Sequence, residues 1–143
     1  MAKISKNFTF EEFTKSDVAK RYHINNAVTD WAVRDNIFAL VENLLQPLRD
    51  AWGQPLFINS GYRCPELNSH PMVGGSKTSQ HVTGQAADVG CSDPYALASL
   101  VKKMGLQYDQ MILYATFVHL SYRDDGKNRM EIIYNKKYKG AKL

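Results

Sequence analysis

Apolar positions change their spacing several times along the chain, and each change marks a different element. Between about Thr29 and Trp52, Ile37, Phe38, Val41, Leu44, Leu45 and Leu48 recur every three or four residues, the repeat of a helix with one buried face. The spacing predicts a core helix there, bent or broken at Pro47, which lacks an amide donor, and ended by Gly53. Ahead of it, Thr9-Phe10-Glu11-Glu12 has the form of a capping box, so a short helix is expected from near Phe10. Short apolar runs from Leu56 to Asn59 and in "AADVG" (86–90) read as strands. Asp93 followed by Pro94 offers an N-cap and a first-turn proline for a helix through about Met104, with Gly105 as its stop. Three later runs rich in Ile, Leu, Val, Phe and Tyr predict strands near 109–114, 117–122 and 130–135, and "RDDGKN" predicts a hairpin between the last two. From Arg63 to Thr83 no period survives; so long an irregular stretch inside a compact domain points to function or disorder.

These elements describe an α+β domain in which helices flank a small antiparallel sheet. At 143 residues and 44% hydrophobic, the chain suits one core and one domain, 1–143, with no boundary inside it. The net charge of +4 gathers partly in "NKKYKGAKL" (Lys136, Lys137, Lys139, Lys142), which reads as a solvated basic tail. Aromatic and basic residues do not interleave there as a nucleic-acid platform requires, so no nucleic-acid partner is expected. No apolar run reaches the roughly 20 residues of a membrane span, and none resembles a signal peptide. A soluble monomer, cytoplasmic as synthesised, is therefore expected, with Cys64 and Cys91 as free thiols. They form no C-x-x-C pair, so they do not make the usual structural zinc frame.

The chemistry concentrates in "SQHVTGQAADVGC" (79–91), where His81 and Asp88 stand seven residues apart. A mononuclear catalytic zinc needs three protein ligands and one open position. Gly84 lets the backbone turn without a Cβ clash, and Ala86 and Ala87 let neighbouring chain come close, so the two side chains can meet. A third ligand must come from elsewhere. In "FVHLSY" strand alternation turns His119 and Ser121 away from Val118 and Leu120, which makes His119 the candidate. On the residues alone, a histidine in an apolar strand such as His119 is more often a hydrogen-bonded structural residue than a ligand. Ser79 and Gln80 either orient His81 and line a cleft or only shape the loop.

"SGYRCPELN", "GGSKTSQHVTGQAADV" and "FVHLSY" followed by "NRMEIIY" together resemble the M15 family of zinc peptidases, in particular its small hedgehog-like D,D-peptidase branch. The likeness begins near "FTFEEFTKSDVAKR", takes in "LLQPLRDAWGQPLFINSGYR", and covers nearly the whole chain; "SQHVTGQAAD" has the family's S-x-H-x-x-G-x-A-x-D form. The resemblance implies Zn2+ held by His81, Asp88 and His119, and substrates among the D-amino-acid-containing stem peptides of peptidoglycan. It also implies a site role for Arg63, which follows "SGY" and whose planar cation suits a substrate carboxylate or a developing oxyanion.

One part of the family pattern is missing. Active relatives carry an acid three or about six residues before the last histidine, and this chain has Thr116 and Leu113 there. Asp109, ten residues before His119, is the nearest upstream acid and so a candidate base; a cap or salt bridge is its plainer reading. His70, in "NSHPMVGG", is a second candidate able to fold over a metal. Two functions follow: a zinc peptidase of the cell wall, such as a phage or prophage lysis enzyme, or a zinc-stabilised peptidoglycan-binding module without turnover.

Overall fold

The structure, a computed structural model, describes residues 2–143. Its helices are α1 (Phe10–Thr14), α2 (Asp17–Arg21), α3 (Trp31–Leu40), α4 (Gln46–Trp52), α5 (Pro65–Ser69) and α6 (Pro94–Lys103). Its strands are β1 (Phe57–Ser60), β2 (Ala86–Gly90), β3 (Gln110–Leu113), β4 (Phe117–Ser121) and β5 (Glu131–Tyr134). The strands make one sheet in the order β1-β2-β4-β3-β5, flanked by helices, the α+β architecture expected.

Local sequence signals explain where most elements begin. The Glu12 carboxylate accepts the Thr9 N–H at 2.9 Å, so the capping box forms and α1 starts at Phe10. The Asp93 carboxylate accepts the Ala96 N–H at 3.1 Å, with Pro94 in the first turn of α6. Two short helices lie outside the expected set: α2, capped by Ser16, and α5, inside the stretch 63–83. Asn68 of α5 fastens the loop that follows, donating from Nδ2 to the Ser76 carbonyl at 2.9 Å and accepting the Gly75 N–H at its own carbonyl at 2.9 Å.

The periodic segment runs on from α3 into α4 without a break. Val41–Leu45 between them is a π-helical turn, in which the Gln46 N–H reaches back to the Val41 carbonyl. Pro47 has no N–H to give to Asn43, and its ring would crowd that carbonyl in a regular α-turn. The widened turn immediately before it relieves both problems, so the helix continues to Trp52 and ends at Gly53, φ 74°. Ile37, Leu40, Val41, Leu44, Leu45 and Leu48 are all fully buried; burying each such side chain contributes about 1.5–3 kcal/mol. Phe38 lies off that face and packs edge-on against Phe10, with ring centroids 5.2 Å apart.

Registers across the sheet set up two faces. Ala87 opposes Leu120, Asp88 opposes His119, and Val89 opposes Val118 in the β2–β4 pair, while Ile112 of β3 opposes His119 from the other side. Ile58, Ala87, Val89, Val118, Leu120, Met111 and Leu113 are buried in the main core. The positions between them, Asp88, His119 and Ile112, line a cleft on the opposite face.

The hairpin expected between 117–122 and 130–135 does not form, and the sheet is not wholly antiparallel. β4 has β2 on one edge and β3 on the other, so both its hydrogen-bonding edges are taken. β3 and β4 make the hairpin instead, closed by the Tyr114 N–H on the Phe117 carbonyl at 3.0 Å. β5 joins the remaining edge of β3 and runs parallel to it. The "RDDGKN" turn does reverse the chain. Met130, at φ 57° with its N–H on the Tyr108 carbonyl at 3.0 Å, then steers it to the outer edge of β3. Among the described residues no helix is long and apolar enough to cross a membrane, and Cys64 and Cys91 are both half-buried free thiols.

Candidate metal centre

Pairing of β2 with β4 sets Asp88 directly opposite His119, and opposed residues of an antiparallel pair have Cβ atoms about 5 Å apart. Both side chains reach the open face, where His119 Nδ1 lies 2.9 Å from Asp88 Oδ1. His81 arrives from the turn that precedes β2. The β1–β2 register slips between Ile58 and Ser60, a β-bulge, and just past it the Gly61 carbonyl meets His81 Nδ1 at 2.7 Å. The Arg63 N–H donates to the His81 carbonyl at 3.0 Å, so the loop after β1 grips both ring and backbone. A carbonyl can only accept, which places the proton on Nδ1 and leaves the Nε2 lone pair for the site. That Nε2 stands 3.4 Å from Asp88 Oδ1.

Gly84 makes this turn possible in two ways. Its φ is +76°, and a Cβ added there would sit 2.7 Å from the Val33 carbonyl oxygen of α3. An L side chain would meet both a left-handed backbone and a helix that cannot recede. Gly84→Ala is expected to destabilise the fold by about 2 kcal/mol or more, read as a lower urea midpoint. Unchanged stability would show that the turn relaxes freely.

One atom from each of His81, Asp88 and His119 lies within 4.8 Å of the other two. A tetrahedral ion with bonds of 2.0–2.1 Å holds its ligand atoms about 3.3 Å apart, so small side-chain rotations close the set. Two imidazoles and one carboxylate fit a borderline divalent cation. Burial works against the Asp88 carboxylate, but the His119 and His81 imidazoles beside it prevail and hold its pKa well below the usual range. The cleft over these residues has a volume of about 640 Å³.

Arg63 lines the same cleft, its Nη2 donating to Ser79 Oγ at 3.3 Å and its buried Nε without a partner. Burial lowers its pKa while Asp88 and Tyr114 oppose that shift, and a guanidinium stays charged throughout. The structure thus brings Arg63 together with His81, Asp88 and His119. Asp109 is held apart from them. It is fully buried, and it does not line the metal cleft. Arg129 donates to it from Nε at 3.1 Å and Nη2 at 2.8 Å, the Arg129 backbone N–H at 2.9 Å, and Gln80 Nε2 at 2.8 Å. Hydrogen bonds from Arg129 above all lower its pKa to about 2.

That shift has a definite sign. Asp109 titrates near 3.9 when unfolded, so its stabilising contribution is complete above about pH 4 and is lost as pH falls towards 2. Wild-type unfolding free energy is expected to drop across that window by on the order of 1–2 kcal/mol more than that of Asp109→Asn, in urea titrations at pH 4 and pH 2. Parallel curves would refute the coupling.

The remaining candidates lie away from the cleft. His70 accepts the Met72 N–H at Nδ1 and packs against Tyr22, with ring centroids 4.3 Å apart. Leu113 is in the core, and Thr116 is exposed at the β3–β4 turn. Neither cysteine lines the cleft. Gln110, Tyr114 and Arg129 are polar lining residues that carried no role in the sequence reading. Gln110 follows strand alternation, two residues before Ile112. Tyr114 feels burial and Asp88, which raise its pKa, and Arg63, which lowers it. Arg129 was visible in "NRMEIIY" as a motif, but its placement depends on β5 pairing with β3. The family model described as Peptidase M15 matches residues 6–121. No curated protein matches the chain.

Proposed function

The chain belongs to the peptidase M15 family, and on that premise we propose that it is a zinc-dependent peptidase acting on D-amino-acid-containing peptides of bacterial peptidoglycan. The reaction is that of a D,D-carboxypeptidase or an endopeptidase. The observation that carries this reading is the convergence of His81 Nε2, Asp88 Oδ1 and His119 Nδ1 on one point beneath an open cleft.

Zinc bound by these three would polarise a substrate carbonyl and acidify a water molecule. The residues around it supply the rest. The Gly61 carbonyl fixes the His81 tautomer, and the β2–β4 register fixes Asp88 against His119. Arg63 lines the cleft as a guanidinium whose positive charge would favour negative charge developing on a substrate carbonyl oxygen. Tyr114 is the remaining ionisable side chain on the cleft wall, among the described residues, apart from the ligands and the arginines. Its phenol is protonated near neutral pH, so it serves as a hydrogen-bond donor to the oxyanion or to the departing amine.

A second reading has its own support. Asp88 is the sole carboxylate lining the cleft among the described residues, so no second acid stands ready as a general base. A zinc-stabilised module that binds peptidoglycan without cutting it would look like this.

Incubation of the metal-loaded full chain with purified peptidoglycan, with and without a chelator, separates the two. Chelator-sensitive release of peptide or free D-alanine, detected by mass spectrometry, is the expected result. Binding of fragments with no release would leave the module reading in its place.

A further inference from the structure

We propose that Arg129 and Gln80, both anchored on the buried Asp109 carboxylate, form a receptor for a carboxylate of the peptide substrate beside the metal centre. The proposal presupposes that the cleft binds peptides and adds which chemical group of the peptide is recognised.

The arrangement begins with Asp109. Four donors converge on its two oxygens, from Arg129 Nε, Nη2 and backbone N and from Gln80 Nε2. A carboxylate offers about four lone-pair sites, so this one is saturated and its role is to position its neighbours. The Arg129 guanidinium is held side-on through Nε and Nη2. Its Nη1 edge has no hydrogen-bond partner within the chain among the described residues, and the side chain is 50% exposed on the cleft wall. A guanidinium fixed in this way has already lost the rotamer freedom that an exposed arginine gives up on binding, which favours planar recognition of an anion.

Gln80 supplies an independent pointer to a ligand. Its Nε2 is committed to Asp109 at 2.8 Å, and its Oε1 is buried with no partner. A buried acceptor left unpaired carries a desolvation penalty that a ligand N–H would relieve. Gln80 lines the same cleft as Arg129 and the three metal-binding residues. A cationic donor edge and an N–H acceptor, both tied to one carboxylate, match an amino-acid unit that carries a free carboxylate and an amide N–H.

The charge balance of the cleft agrees. Arg63 and Arg129 face a single lining carboxylate, Asp88. Of the other acids near Arg129, Glu131 is engaged by Gln110 Nε2 at 2.5 Å, Asp125 is paired with Arg123 at 2.6 Å, and Asp124 shares with Arg129 and Gln80 a neighbouring pocket outside the metal cleft. Two substrate groups carry the required chemistry: the C-terminal carboxylate of a peptide, and the side-chain carboxylate of an acidic residue within it.

The test uses the full, metal-loaded chain and three synthetic stem peptides of the D-alanine-terminated type: the free acid, its C-terminal amide, and a peptide with the internal acidic side chain amidated. Kd is measured by calorimetry for each, and kcat and KM wherever turnover occurs. Amidation of one of the two carboxylates is expected to weaken binding by about 10- to 100-fold, the effect of a charge-assisted hydrogen bond. Which amide loses identifies the carboxylate. Arg129→Gln should bind that acid and its amide equally, with KM raised and kcat nearly unchanged, and Arg129→Lys should recover part of the preference.

Equal binding of all three peptides by the wild type overturns the proposal, as does an acid preference that survives in Arg129→Gln. So does a loss of kcat at unchanged KM, or a failure of every peptide to bind. Acid-selective binding with no cleavage would uphold the receptor while refuting the peptidase reading.

Discussion

Asp88→Ala is expected to abolish both metal retention and hydrolysis while leaving the chain folded. Asp88 occupies the middle of the site: His119 is opposite it in the sheet at 2.9 Å, and His81 reaches it at 3.4 Å from the preceding turn. It is also the single negative charge on the cleft wall among the described residues. Without it two imidazoles would face a divalent cation with no anionic ligand, on a cleft wall that also carries Arg63. Loss of a group that merely supports a ligand costs about 10–100-fold in metal affinity or activity; loss of the charged ligand itself should exceed that, to about 1,000-fold or more in kcat/KM. The fold should survive because the apolar face of β2, Ala87 and Val89, is untouched. Elemental analysis, kinetics and far-UV circular dichroism check the three parts. A folded variant that keeps one equivalent of metal and a tenth of the activity would remove Asp88 from the ligand set.

Arg63→Ala should separate chemistry from metal binding. Arg63 hydrogen-bonds a ligand residue directly only through backbone, its N–H on the His81 carbonyl; alanine keeps that bond and gives up the 3.3 Å contact of Nη2 with Ser79 Oγ. Metal content should therefore stay the same. What goes is a positive charge on the cleft wall, worth about 100- to 1,000-fold in kcat in the oxyanion role proposed for it. Lysine should not restore it, because an ammonium is a compact point charge and cannot reproduce the planar fork. If kcat stayed within threefold of wild type at full metal occupancy, Arg63 would be a structural residue.

The sequence made the site more legible than the sheet. His81, Gly84 and Asp88 lie within one local segment, so their meeting depends on a short turn whose glycine announces it. His119 is remote, yet strand alternation alone gave the direction it faces. Asp109 shows the opposite case. Its spacing from His119 made it a candidate base, but its actual partner, Arg129, lies twenty residues on and reaches it only because β5 runs along β3. Hydrophobic runs predicted strands near 109–114, 117–122 and 130–135 without saying which edges were free, and strand pairing is decided by the edges. The same limit hid the parallel β3–β5 pair. At Pro47 the sequence marked a difficulty correctly, while the π-helical turn that resolves it belongs to the packing of Leu44 and Leu45 in the core.

The order of strands also governs which part of the site can move. β2, β4 and β3 each have a neighbour on both sides, and β1 and β5 take the edges. Edges and loops open at little cost, whereas interior strands separate only with the whole sheet. The backbones that carry Asp88 and His119 therefore separate only with the sheet. His81, carried on the turn that Gly84 shapes, is the one ligand whose backbone lies outside the strands. The turn at 79–84 is thus the part of the site whose backbone can rearrange while the sheet stays closed.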